Sequence, residues 1–250
     1  MAVKHAGRIL KNGYGKTQRI SYKSAINLVT EMDHRAEEAV IEILKKKFPD
    51  HGILTEESGG CKGRGEYRWI LDPLDGTTNY AHGYPFFCVS LALEKEGRII
   101  WGAVYDPLRD ELFEAEAEKG ATINGARISV SATNHLHHSL ICTGFPYDVR
   151  ESSDDNLLYF NQFTKSAQAI RRDGSAALDL CYVAMGRFDG FWEMKLNPWD
   201  TAAGSLIVTE AGGKVTDFNG NAYTIAAGEI LATNGFIHNE MVRVLSRHPA

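Results

Sequence analysis

The chain has 250 residues, 44% hydrophobic and 24% charged, with a net charge of −5. That is ordinary for a globular protein that builds a sizeable core in one large domain or two small ones, and it gives no basic surface that would make nucleic acid the default partner. No apolar run approaches a membrane span, residues 1–10 lack the apolar region of a signal peptide, and Cys61, Cys88, Cys142 and Cys181 have no paired spacing, so a cytoplasmic protein with reduced thiols is expected.

Residues 4–12 read as the last turns of a helix. Gly15-Lys16-Thr17 invites a P-loop reading that fails, because the first glycine of that motif would fall at Leu10. Residues 16–24 are polar and read as a loop. Thr30 is an N-cap with Asp33 three residues later in the capping-box position. Ala36, Val40, Ile43 and Leu44 follow at helical spacing, and Lys45, Lys46 and Lys47 suit the C-terminal end of the helix. A loop over 48–52 leads to a short strand beginning at Ile53-Leu54 and ending in Thr55-Glu56-Glu57-Ser58. Adjacent residues on a strand point to opposite faces, so only one of the two glutamates faces a given site. Residues 59–66 are a glycine-rich, charged linker.

The apolar run 69–71 reads as a buried strand that stops at Asp72-Pro73-Leu74-Asp75-Gly76, since Pro73 cannot donate a ladder bond. Two carboxylates three residues apart at a strand end suit Mg²⁺, which takes oxygen ligands and substrate phosphate. Gly76 allows a sharp turn, and the amides of Gly76, Thr77 and Thr78 then form an anion site at a helix start. An ordinary polar turn would use the same residue types, so the spacing alone leaves both readings open.

Strands follow at 86–93 and 99–105, joined by a hairpin with Gly97 in its turn, then at 111–115. Residues 120–125 read as a turn and 127–130 as a further strand, making the first half largely antiparallel. Residues 134–138 hold three histidines without acids at ligand spacing, which favours a solvated loop over a metal site. Beyond about 138 strands and helices alternate: a strand at 140–143, a helix over 154–167, and a buried helix over 175–185 that Gly186 ends. A strand at 188–193 carries Asp189 and Glu193. Asn197-Pro198-Trp199-Asp200 starts another helix, with Asn197 as N-cap, Pro198 at the favoured first position and Asp200 in the first turn. Helix-dipole compensation alone would place an acid at Asp200. Strands at 214–218 and 230–233 and a helix near 238–245 complete a chain without internal repeats.

The string DPLDGTTNYAHGYPF resembles the first signature of the inositol monophosphatase family, the Mg²⁺-dependent, lithium-sensitive phosphatases. PWDTAAGSLIVTEAGG resembles the family's C-terminal motif, and RRDGSAALDLCYVAMGRFDGFWE the segment before it in bacterial SuhB-type members. The resemblance runs from about Lys16 to the end. It implies the sugar-phosphatase layered αβαβα sandwich, an α/β (α+β) fold: one unit over 1–250, with an α+β half over 1–137 holding an antiparallel sheet and a mixed α/β half over 138–250. It also implies a homodimer.

For the chemistry, the resemblance implies about two or three Mg²⁺ per active site and hydrolysis of a small polyol phosphate by activated water. Glu56, Asp72 and the Leu74 carbonyl would hold the first ion, and Asp72, Asp75 and Asp200 the second. Glu56 rather than Glu57 is taken from the family's GEES motif. Thr77, backed by Asp33, would orient the attacking water, and the Gly76 and Thr77 amides would bind phosphate. Asp200 would stand beside the water that protonates the leaving alkoxide. Glu193 would accept from substrate hydroxyls and the Gly174-Ser175-Ala176 backbone would line the same pocket; a plain strand-end acid competes for Glu193. Residues 16–24 match the family's mobile loop, with Lys23 either near a third ion's water shell or simply solvated. Asn27 stands where many members carry Asp. Thr78-Asn79-Tyr80 after DGT fits the inositol monophosphatase pattern rather than those of the adenosine bisphosphate or histidinol phosphatases. Inositol 1-phosphate ranks first as substrate, fructose 1,6-bisphosphate second and NADP(H) third. SuhB-type proteins also associate with the bacterial transcription machinery, so a binding role stays open beside catalysis, although the charge gives it no support.

Overall fold

The computed structural model describes residues 2–16, 20–22 and 27–246. Lys23 and much of the loop expected over 16–24 lie outside the described residues. In chain order the elements are α1 (Ala2–Gly13), β1 (Ile20–Tyr22), β2 (Leu28–Thr30), α2 (Glu31–Lys47), β3 (Gly52–Thr55), β4 (Tyr67–Asp75), α3 (Thr77–Ala81), β5 (Cys88–Lys95), β6 (Arg98–Asp106), β7 (Glu111–Glu116), β8 (Ala121–Ile123) and β9 (Ala126–Arg127). A 3₁₀ turn over Leu136–His138 precedes β10 (Leu140–Thr143), α4 (Leu157–Thr164), β11 (Ala169–Arg171), α5 (Ala176–Ala184), β12 (Gly190–Met194), α6 (Pro198–Glu210), β13 (Lys214–Thr216), β14 (Glu229–Thr233) and α7 (His238–Leu245).

Side-chain alternation along the strands shows how these elements are layered. On β4, Trp69 and Leu71 join one apolar cluster with Val3 and Leu10 of α1 and Val40 of α2, while Ile70 joins another with Leu180 of α5 and Ile207 of α6. On β12, Phe191 belongs to the α5–α6 cluster and Trp192 to a third with Phe163 of α4 and Met241 of α7. A period of two with apolar residues on both sides means that each sheet is covered on both faces. The order is therefore α1–α2, the β3–β9 sheet, α5–α6, the β10–β14 sheet, α4–α7: five layers of αβαβα. Residues 201–208 of α6 are all buried, as a helix between two sheets must be.

The first sheet has seven strands in the order β3-β4-β5-β6-β7-β8-β9 and the second five in the order β11-β10-β12-β14-β13. The first is antiparallel except at its edge, where β3 runs parallel to β4; the second is mixed, β11-β10-β12 parallel and the rest antiparallel. Three expectations need correction. Residues 120–125 are not one turn: β8 runs through them, and the turn is Asn124-Gly125, both at positive φ. The strand expected to stop at Asp72 continues to Asp75. The helix expected over 154–167 is shorter, Leu157–Thr164. His135, His137 and His138 are exposed, with the rings of His135 and His137 stacked and that of His138 tilted against His137. Among the described residues no helix is long and apolar enough to cross a membrane.

Candidate active site

Pro73 does not end β4; it sits in a bulge. Asp72 pairs with Ser90 and Asp75 with Cys88, so three steps on β4 oppose two on β5. In a regular strand residues i and i+3 face opposite sides, and one extra residue returns them to the same side. Burial pushes the Asp72 carboxyl well above the usual range, and the charges of Glu56, Asp75 and Asp200 push it further. Burial likewise raises Asp75, to about 6. Asp200 is raised well above its ordinary value by burial and then by Asp75, with Glu56 and Glu193 adding to it. Residues 56, 72, 75 and 200, from three places in the chain, thus share one electrostatic neighbourhood.

Each aspartate is fixed by donors on one oxygen. The Leu74 amide donates to Asp72 Oδ1 at 3.0 Å. Ser175 Oγ and the Ala177 amide donate to Asp75 Oδ2, both at 2.7 Å. The Asn197 amide donates to Asp200 Oδ2 at 2.6 Å, as the acidic member of the α6 capping box. Ser175, the N-cap of α5, therefore orients Asp75, which sequence reasoning did not foresee.

Gly76 opens α3 at φ 96°, and a Cβ there would come within 2.9 Å of the Phe86 carbonyl, so glycine is required on both counts. Thr77 Oγ1 lies 3.0 Å from Asp33 Oδ1 and 2.9 Å from the Leu74 carbonyl. Asp33 is fully buried and caps α2: its Oδ2 accepts from the Thr30 amide at 2.8 Å and from Thr30 Oγ1 at 2.6 Å. Burial raises its pKa against the lowering effect of those bonds. Thr78 is exposed, and neighbouring Asn79 ties α3 to the other half, donating to the carbonyls of Phe86 and Asp173 at 2.8 and 2.7 Å.

Glu56 and Glu57 lie in the turn after β3 rather than on the strand. The charge of Glu56 acts on Asp72 and Asp200, that of Glu57 on Asp33. Glu193, on β12, is pushed up to about 8 by burial, with Arg172 opposing and Asp75 adding. A Cβ at Gly144 would meet Glu193 Oε1 at 2.0 Å, so that glycine makes room for the carboxyl. The Tyr147 hydroxyl also lies in the field of Glu56, Asp200, Asp75 and Asp72, on a loop tied down by Lys195 Nζ to Asp148 Oδ2 at 2.8 Å. Neither Tyr147 nor Asn79 was singled out by spacing, because their partners are brought in only by the fold.

Among the described residues no three His, Cys, Asp or Glu side chains converge at metal-ligand distances. The donor set nevertheless fits a hard cation. It is all oxygen, it is mutually repelling, and Mg²⁺ needs only one or two direct carboxylates beside its waters. A cavity of about 470 Å³ lies elsewhere, at the opposite end of β4 around Cys61, Arg68 and Glu94, and contains none of these acids.

The model of the inositol monophosphatase family matches residues 1–250. The chain belongs to the inositol monophosphatase family. It is 47% identical to an inositol-1-monophosphatase from Synechocystis over 99% of this chain and 87% of that protein. It is 43% identical to a Nus factor SuhB from Pasteurella multocida over 96% of this chain and 91% of the relative. An inositol monophosphatase structure from Anabaena superposes with a TM-score of 0.90 at 46% identity, covering 99% of this chain and 93% of the other. The extragenic suppressor protein SuhB of Bartonella henselae gives 0.93 at 42% identity, covering 99% and 96%. As a member of the inositol monophosphatase family, the chain is a phosphatase with the family's layered α/β fold.

Proposed function

We propose that the chain is a Mg²⁺-dependent, lithium-sensitive phosphate monoester hydrolase of the cytoplasm, homodimeric, acting first on inositol 1-phosphate and second on fructose 1,6-bisphosphate, with NADP(H) third. The observation that carries the reading is the group of buried Asp72 and Asp75 with half-buried Asp200, beside the Asp33–Thr77 pair. Glu56, Asp72, the Leu74 carbonyl, Asp75 and Asp200 would hold two or three ions, with Asp72 shared. When bound, Mg²⁺ supplies a lowered pKa for the attacking water and charge neutralisation on the phosphoryl oxygens.

The rest falls to the chain's own groups. Thr77 orients the water, and Asp33 fixes the Thr77 hydroxyl. Phosphate rests on the Gly76 and Thr77 amides, with Thr78 at the exposed rim. Water attacks phosphorus in line, the P–O bond to the polyol breaks, and a water beside Asp200 gives its proton to the leaving alkoxide. Glu193, whose carboxyl burial pushes up, accepts hydrogen bonds from the polyol hydroxyls. The Gly174, Ser175 and Ala176 backbone closes the same pocket.

Phosphate release from inositol 1-phosphate, fructose 1,6-bisphosphate, adenosine 3′,5′-bisphosphate and NADP⁺, with and without Mg²⁺ and with Asp75→Asn as control, tests this. Release led by inositol 1-phosphate and lost in the control is expected. No Mg²⁺-dependent release from any of them would overturn the reading. The similarity to relatives named Nus factor SuhB favours a second reading, a binding role in the transcription machinery. Capture of transcription proteins by wild type and Asp75→Asn alike would support it.

A further inference from the structure

Helix α2 carries a second buried acid on the face of Asp33. Glu37 lies four residues further on, 4% exposed, among Ala36, Val40 and the other apolar positions of that stripe. One helical turn separates the two, about 6 Å along the axis. Asp33 reaches Thr77; Glu37 reaches the other side of the site. Its Oε2 accepts from Thr55 Oγ1 at 2.6 Å and from the Glu57 amide at 3.0 Å, and its Oε1 from the Ser58 amide at 3.1 Å. The three donors flank Glu56 on both sides.

We propose that Glu37 is a positioning residue for the metal site: its carboxylate clamps the turn 55–58 and thereby fixes where Glu56 is presented to Asp72 and Asp200. The proposal rests on the metal-dependent reading given under Proposed function. A turn that leaves a short edge strand at the surface needs no buried acid to satisfy its amides, because water does that. Here a side chain from a different layer supplies both oxygens to it. The acceptor count explains the residue type: a carboxylate takes three donors from two directions, whereas an amide has one acceptor oxygen and would turn an NH₂ towards an N–H. Because Asp33 and Glu37 share one rigid helix, the Thr77 hydroxyl and the Glu56 turn are fixed relative to each other.

Calorimetric titration of the metal-free chain with Mn²⁺, alongside its melting temperature, tests this in wild type, Glu37→Gln, Thr55→Val and Glu42→Gln. Glu42 is on the exposed face of α2. Loss of a group that orients a metal ligand typically weakens metal affinity about 10- to 100-fold, and that range is expected for Glu37→Gln. Thr55→Val, which removes one donor of three, should show a smaller loss, and Glu42→Gln none. A Glu37→Gln protein that melts lower but binds Mn²⁺ as wild type does would overturn the proposal, as would an equal loss in Glu42→Gln. If Glu37→Gln does not fold, Thr55→Val decides: weaker binding supports the clamp and unchanged binding overturns it. A wild type that takes up no Mn²⁺ would overturn the metal-dependent function together with this proposal, whereas unchanged affinity in the variants overturns the clamp alone.

Discussion

The starts of α2 and α6 use the same local device and end with different chemistry. Both are capping boxes with aspartate at the third helical position, Thr30/Asp33 and Asn197/Asp200. In both, one carboxylate oxygen takes the amide of the capping residue, at 2.8 Å in α2 and 2.6 Å in α6. The neighbour of the rest of the carboxylate differs. Asp33 meets the Thr77 hydroxyl. Asp200 meets the carboxyl groups of Asp75, Glu56 and Glu193. A hydroxyl neighbour makes Asp33 an orienting acceptor; carboxylate neighbours make Asp200 part of a cation site. Local sequence specifies the cap, and what packs against it from elsewhere in the chain specifies the work.

The largest effect that separates the two is expected on removing charge. Asp200→Asn keeps an oxygen for the Asn197 amide, so α6 stays capped while the cation site loses a carboxylate. Activity should fall at least about 10²-fold, the scale of losing one electrostatic partner of a transition state. The metal-free melting temperature should hold or rise, since a repulsion is gone. In Asp33→Asn one oxygen becomes NH₂, and the donors Thr30 N, Thr30 Oγ1 and Thr77 Oγ1 can no longer all be accepted. Activity should fall about 10- to 10²-fold through loss of water orientation, and stability by about 1–3 kcal/mol for the buried donor left unpaired. Thermal melts and phosphate release on the same two proteins check both.

The pH dependence of the metal-free chain comes next. Glu193 rises from the ordinary 4.5 to about 8 on folding and Asp75 from 3.8 to about 6, so each stabilises the fold below its unfolded value and loses that contribution as pH climbs through the folded one. His238, held between Thr216 and Thr233, is depressed from 6.5 to about 4 and works in the opposite sense, adding stability as pH rises from 4 to 6.5. The two trends oppose below pH 6.5. Above it His238 is constant, and the metal-free chain should lose about 1 kcal/mol between pH 6.5 and 8 through Glu193. Denaturant melts should show that slope in wild type and a flatter one in Glu193→Gln.

The smallest effects concern the caps themselves. Thr30→Ala removes a hydroxyl that both donates to Asp33 and accepts from the Met32 amide, and should cost about 1–2 kcal/mol. Asn197→Ala leaves the Asp200 half of its box in place and should cost no more than about 1 kcal/mol. Equal losses in denaturant melts would contradict the distinction drawn between the two helix starts.

Sequence legibility follows the same division. Thr30, Asp33, Asn197 and Asp200 were readable because a cap is complete within four residues, and the family signature joined Asp33 to Thr77 across 44 positions. The continuation of β4 through Pro73 was not readable, because a bulge exists only against a partner strand and β5 lies further along the chain. Ser175 and Ala177 lie 100 and 102 residues from the Asp75 they hold. Asn79 binds a carbonyl 94 residues away. Glu37 had one local signal, an acid inside the apolar stripe of Asp33, Ala36, Val40 and Leu44, which an amphipathic reading passes over when it looks only for apolar residues.

The most direct measurement is a Mg²⁺ titration of phosphate release at saturating inositol 1-phosphate for wild type, Asp33→Asn and Asp200→Asn. The account predicts that Asp200→Asn raises the Mg²⁺ concentration for half-maximal rate, while Asp33→Asn lowers the maximal rate and leaves that concentration where it is in wild type. The same Mg²⁺ requirement in all three proteins, or a shift in Asp33→Asn alone, would contradict it.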